Sequence, residues 1–206
     1  MNNGVIVILC LVLTACSIPE PIVRPVSPDG MIHSSNDEVS YANVIWSKSI
    51  PMKEYKDLVV VFEDDFSPPA DEVSQVSKLG FFNRVLGRSD LERLVVSNNL
   101  QGKVRTLRTW EGLGELYRAY KPYLVIHFKC VDDKGAMKYR LIVTNPNTIE
   151  NEFVDEVVVH SAAEYATMGL LTFGAGMYES GRCSGPDDVV RYPLFNSLTR
   201  WIRENE

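Results

Sequence analysis

The stretch YLVIHFKCVDDKGAMKYRLIV, residues 123–143, decides the fold class. Its first eight residues alternate Leu124, Ile126, Phe128 and Cys130 on one side with His127 and Lys129 on the other, the period of two that marks a half-buried strand. Asp132, Asp133, Lys134 and Gly135 then supply the chemistry of a hairpin turn. In MKYRLIV the alternation resumes, with Met137, Tyr139, Leu141 and Val143 inward and Lys138 and Arg140 outward. Asn145, Pro146 and Asn147 turn the chain once more, and residues 153–160 are predicted to form a third consecutive strand. The centre of the chain therefore reads as an antiparallel meander.

Working toward the amino end, DLVVVFE at residues 57–63 is rich in β-branched residues and predicts a buried strand. Ser67 before Pro68 resembles a helix N-cap with proline in the first turn, and Asp71 and Glu72 lie where a helix N-terminus favours negative charge. Val73, Val76, Leu79, Phe82 and Leu86 recur at three or four residues, so the helix is expected to run until Gly87. LERLVVS, residues 91–97, predicts a short second strand centred on Val95. Residues 110–120 predict a second helix, which carries Gly112 and Gly114 and ends before Pro122. At the carboxyl end Pro193 can open a last helix whose Leu194, Leu198, Trp201 and Ile202 share one face. The expected class is α+β: a mixed sheet with β-α-β-α followed by an antiparallel β-meander and a C-terminal helix.

A chain of 206 residues supports one ordinary core plus targeting and linker segments. Its 45% hydrophobic and 23% charged residues are those of a globular protein, not of a disordered or multi-span one. A net charge of −6 gives no general basic field, which excludes a sequence-independent grip on nucleic acid phosphates.

Residues 5–13, VIVILCLVL, form an uncharged apolar run of signal-peptide length, well short of the roughly 20 residues a spanning helix needs. Only the terminal amine supplies positive charge ahead of it. Leu13, Thr14, Ala15 and Cys16 follow, and this segment resembles the lipobox of bacterial lipoprotein precursors. The resemblance implies cleavage before Cys16, a diacylglycerol on its sulfur and an acyl chain on the new amine. Two or more acyl chains hold a protein stably on a bilayer, each buried CH₂ contributing about 0.8 kcal/mol. Ser17 after the cysteine resembles the outer-membrane sorting signal, so a periplasm-facing outer-membrane location is implied.

The expected organisation is a signal peptide at 1–15, a lipidated Cys16 with a proline-rich tether at 16–40, and a single globular domain at 41–206. Pro19, Pro21, Pro25 and Pro28 fix φ and remove donors, which favours an extended, semi-rigid tether. Once Cys10 is removed and Cys16 lipidated, Cys130 and Cys183 remain, and in an oxidising periplasm they are a candidate disulfide. Neither has a thiol or histidine at metal-ligand spacing, so no metal is expected, and no cofactor motif is present.

The order of elements over residues 57–160, the run Val95, Val96, Ser97, Asn98, Asn99, Leu100 read as a strand entering the second helix, and the paired strands YLVIHFKC and MKYRLIV resemble a group of periplasmic lipoproteins. These are the relatives of the TolB amino-terminal domain, the curli secretion lipoprotein and the penicillin-binding-protein activator lipoproteins. Where that group closes its meander with a tryptophan-bearing strand, this chain has Thr148, Ile149, Glu150, Asn151, Glu152 and Phe153.

Candidates for chemistry are sparse. His33, His127 and His160 have no nucleophile arrangement beside them, although such groups can converge in three dimensions. Glu63, Asp64 and Asp65 form an acidic cluster at a strand end that could take a cation or act in an acid-base pair, and that also fits a solvated turn. Gly174, Ala175, Gly176 and Gly181 fit neither phosphate-loop spacing. Lys103, Arg105, Arg108 and Trp110 could meet an anionic glycan or a partner, or form an exposed face. The uncharged residues 165–178 are too short for a helical span and read as buried packing.

These readings favour a non-catalytic, membrane-anchored module that binds an envelope protein of a secretion, surface-assembly or cell-wall complex. The bilayer, through Cys16, and that envelope protein are the expected partners. The alternative is an envelope hydrolase or transferase assembled from separated residues such as Asp64, Asp65 and His127. An oligomeric export component is disfavoured, because the paired hairpins of a membrane barrel are missing.

Overall fold

Parallel strands need both faces covered, whereas antiparallel strands can leave one face open to water, and this chain uses both solutions in one sheet. In the computed structural model the described residues are 26–34, 37–62, 70–133, 136–160 and 189–206. They form strands β1 (Asn43–Ser47), β2 (Val59–Phe62), β3 (Val85–Gly87), β4 (Leu124–Asp133), β5 (Ala136–Asn145) and β6 (Glu150–His160). The α-helices among them are α1 (Ala70–Lys78), α2 (Leu91–Ser97), α3 (Trp110–Ala119) and α4 (Arg191–Glu204). The sheet order is β1-β6-β5-β4-β2-β3, with β3, β2 and β4 parallel and the other neighbours antiparallel. The α+β class, the meander and the closing helix are as the sequence predicts.

One face of the sheet carries a core of Val59, Val61, Leu124, Ile126, Phe128, Tyr139, Leu141 and Val143 under α1 and α4. Phe153 stacks on Trp201 of α4 with ring centroids 5.1 Å apart. The opposite face has a second core, in which Val60, Phe62 and Val125 lie under Leu91, Leu94 and Val95 of α2 and Leu113 and Leu116 of α3. That second core covers the parallel half of the sheet.

Three local expectations change. The first helix ends at Lys78, not near Gly87, because Gly80 takes a left-handed φ of 70° and its N–H closes on the Ser77 carbonyl at 3.2 Å. Val85, Leu86 and Gly87 are thereby freed to pair with β2. LERLVVS is not a strand but helix α2: Leu91, Leu94 and Val95 sit at helical spacing and are buried, while Val96 is exposed. Tertiary burial of that stripe outweighs the β-branched composition. The run through Asn98 and Asn99 is accordingly a helix exit. Asn99 has φ 56°, its N–H bonds to Val96 O at 3.1 Å and that of Leu100 to Val95 O at 2.9 Å, a Schellman ending.

Two glycines fit α3 into place. A Cβ on Gly112 would lie 1.6 Å from the Thr106 carbonyl oxygen, and one on Gly114 would lie 2.9 Å from that of Pro146. The helix therefore sits directly on the turn between β5 and β6.

The amino-terminal segment is stitched to α4. Met31 and Ile32 are buried. The Ile32 N–H donates to Asn196 Oδ1 at 2.8 Å, and Asn196 Nδ2 donates back to Ile32 O and Ser40 O at 2.9 and 3.0 Å. Ser197 Oγ accepts from the Ala42 N–H, Asn205 Oδ1 accepts from that of Ile50, and Trp201 Nε1 donates to Lys48 O. Part of the stretch expected to be tether thus lies against the domain.

Candidate protein-docking face

The alternation that opened the sequence puts Val125, His127, Lys129 and Val131 of β4 on the face opposite the α4 core. Helices α2 and α3 cover Val125 and His127, and beyond them Lys129 and Val131 are exposed. Pairing extends this face as cross-strand rows. His127, Ile142, Val154 and Trp46 form one; Lys129, Arg140, Glu156 and Asn43 the next; Val131, Lys138 and Val158 the third. Trp46 is 55% exposed, Ile45 is exposed beside it, and Val131 and Val158 are exposed two rows away on the same face. Ile45 and Trp46 form one apolar patch, and Val131 and Val158 stand across the charged row from it with Lys138 between them.

Trp46 is held in place by its indole N–H, which donates to Asn151 O at 2.9 Å. An irregularity in register between Val44 and Trp46 lets Ile45 join it on the surface. Together with Val154 and Arg140 they line an open depression of about 720 Å³. Lys48 closes one side through Glu150 at 3.1 Å and Glu152 at 3.4 Å, and these carboxylates, Glu150 first, hold its ammonium above the ordinary lysine range.

A second, smaller depression of about 170 Å³ lies against α3, lined by Trp110, His127, Lys129, Ile142, Thr144, Ile149 and Asn151. His127 packs edge-on against Phe62 at 5.0 Å and at a 41° tilt against Trp110 at 4.9 Å. Ile149 has φ 60°, a left-handed conformation that a β-branched residue adopts only under constraint, yet its side chain is 56% exposed. The backbone is fixed there by the Ile149 N–H bond to Asn145 O at 2.8 Å and by the Asn147 N–H bond to Asn145 Oδ1 at 3.0 Å.

The charges of this face are mostly paired. Arg140 Nε meets Glu156 Oε2 at 2.6 Å, and Lys138 pairs with Asp133. Lys129, directly opposite Arg140, has no ion-pair partner among the described residues. On the core side of the same strands, the carboxyl group of Asp155 is fully buried. Its Oδ1 accepts the Leu141 N–H at 3.3 Å, and burial pushes its pKa well above the ordinary carboxylate range.

Of the residues singled out from sequence, His127 lies in this face, and no carboxylate lines the depression beside it among the described residues. Asp64, Asp65, Cys16, Cys183 and residues 165–178 lie outside the described residues. Cys130 is disulfide-bonded. Arg105 is neutralised by Glu111 and by Glu115, the latter at 2.6 Å, which leaves it an exposed ion-paired loop residue. Sequence reasoning missed Trp46, Ile45 and Ile149. The signals were an apolar NVIWS segment without alternation, and an isoleucine set in a turn of Asn, Pro and Thr.

Among the described residues no helix is long and apolar enough to cross a membrane. No protein-family model and no curated protein matches the chain. Among solved structures it is similar to the LpoB C-terminal domain from Salmonella enterica, at 11% identity and a TM-score of 0.34 over 52% of this chain and 84% of that one. It is also similar to lipoprotein GNA1162 from Neisseria meningitidis, at 13% identity and a TM-score of 0.30 over 56% and 90%. At these scores neither likeness carries the functional reading, which rests on the residues described above.

Proposed function

We propose that this chain is a lipid-anchored accessory module of the bacterial envelope, whose work is to dock another envelope protein on the open sheet face around Trp46. The observation that carries the reading is that face itself. Large apolar side chains are displayed on a rigid sheet, and one of them, Ile149, is retained at a strained backbone position. Packing does not require them there, and a partner surface does.

The lipobox Leu13, Thr14, Ala15, Cys16 supports the anchor, with residues 1–15 removed and the periplasmic face of the outer membrane as the destination. The roughly ten residues between Cys16 and Val26 reach at most about 35 Å when extended, which keeps the domain beside the membrane. A Cys130 to Cys183 bridge would tie β4 to the segment ahead of α4.

The test is the intact mass of the membrane-extracted protein beside a Cys16→Ser form. The expected wild-type mass is that of the chain from Cys16 plus diacylglycerol and an acyl group, and the variant retains neither. An unmodified chain starting at Met1 would overturn the anchor. Turnover of a wall or lipid substrate by the purified domain, abolished by Asp64→Asn or His127→Ala, would favour the hydrolase or transferase reading instead.

A further inference from the structure

Resting on that reading, we infer that the occupant of the docking face is an acidic protein segment that places a carboxylate on Lys129 and an apolar side chain in the depression between Trp110 and Ile149. The argument starts from charge. Arg140 with Glu156 and Lys138 with Asp133 are already neutral pairs, so covering them adds no unpaired charge. Lys129 stands between the two apolar rows, with the Arg140 cation directly across from it. Any surface that covered Ile142 and Trp46 on one side and Val131 and Val158 on the other would also strip water from Lys129.

An ammonium buried without a partner is strongly disfavoured, whereas a carboxylate supplied from the other side turns the same burial into a specific contact. The chain around this face carries a net charge of −6. General repulsion therefore meets a second copy and an acidic partner alike, and the local Lys129 site is what would draw the latter. The depression of about 170 Å³ suits one medium-sized side chain. Its walls set the Trp110 indole and two isoleucines beside His127, Lys129, Thr144 and Asn151, so it takes an apolar side chain next to a polar rim.

The experiment places a photo-crosslinking amino acid at position 131 of the full-length chain in growing bacteria, with a second form carrying it at position 92 on the far side of α2. Adducts are digested and sequenced by mass spectrometry. The expected result is a crosslink from position 131 to a segment of another protein in which Asp or Glu residues flank an apolar one. Lys129→Glu should lower its yield at least tenfold, and Lys129→Arg should retain it. Circular dichroism and the lipid mass of each variant establish that it is folded and anchored. Adducts to phospholipid, to a second copy, to residues 161–188 of the chain itself or to a basic segment would each overturn the inference. So would a yield indifferent to Lys129→Glu. A protein adduct from position 92 but none from position 131 would leave the accessory-module reading standing and remove this face as its docking site.

Discussion

Ile149 and Asp155 are both residues that stability alone would not choose. A non-glycine residue in the left-handed region costs about 1–2 kcal/mol, and β-branching raises that cost. Asparagine tolerates the conformation, so Ile149→Asn should raise stability by about 0.5–1 kcal/mol, read as a higher urea midpoint at unchanged slope, while partner capture falls. A lower midpoint would mean that Ile149 is held by packing and not kept for display. Asp155 makes a separate prediction. Its folded pKa is raised above the ordinary 3.8 by burial, so the native state binds the proton more tightly than the unfolded one. Stability from this group is complete below 3.8 and is lost as pH rises toward the folded value. Asp155→Asn, an isostere of the protonated acid, should match the wild type at pH 4 and exceed it at pH 8. Parallel pH profiles for the two proteins would contradict the buried-carboxyl account.

At the scale of elements, the amino-terminal segment and α4 behave as one unit because α4 supplies polar side chains to backbone groups that no strand serves. Asn196→Ala leaves the Ile32 N–H and two carbonyls without their partner and should cost about 1–3 kcal/mol. Hydrogen exchange should then rise first at residues 31–42; exchange that rises evenly over the chain would contradict a local clasp. His33 adds a pH dependence to the same segment, lying 3.2 Å from Asp29 and 3.1 Å from Asp37. The hydrogen bond that the imidazole donates to Asp29 raises its pKa above 6.5, and the bond donated by the Met31 N–H lowers that of Asp29 below 3.8. The His33 contribution is complete below 6.5 and is lost as pH rises through the folded value, while that of Asp29 is complete above 3.8 and is lost as pH falls through its own. Protection of residues 29–37 should therefore be greatest between 3.8 and 6.5, and His33→Gln should flatten that profile.

Elements were legible from sequence where period and burial agreed. Strands β4 and β5 show a clean alternation because one face of each meets the α4 core over most of its length. Helix α2 was not legible, because Val95 and Val96 carry strand propensity and only the packing of Leu91 and Leu94 on β2 selects the helical period. Nor was β1, which is five residues long with its apolar side chains largely outward, so that no inward stripe announces it. Gly112 and Gly114 weakened the expectation of α3, yet the close backbone approaches at Thr106 and Pro146 require them. Gly112→Ala should cost upwards of about 3 kcal/mol, since the obstructing atom is a backbone oxygen that cannot swing aside, and a loss below 1 kcal/mol would show that the turn at 106 yields.

On the scale of the whole molecule, the described residues form a sheet closed on both faces where its strands are parallel and open on one where they are antiparallel. The sequence displayed the closed part through its apolar runs. The docking face was hidden because it is assembled from β1, β4, β5, β6 and the turn before β6, which are over a hundred residues apart at the extremes. Lys129 and Arg140 read as solvated outward residues until pairing set them side by side. The central claim is that this face recruits a partner protein, and quantitative capture by crosslinked, full-length wild type and Trp46→Ala proteins from intact cells tests it most directly. A buried tryptophan anchor at an interface contributes 2 kcal/mol or more, about thirtyfold in affinity, so Trp46→Ala should keep its lipid and its thermal midpoint while losing nearly all of the envelope protein the wild type retains. Equal capture by the two proteins would contradict the claim.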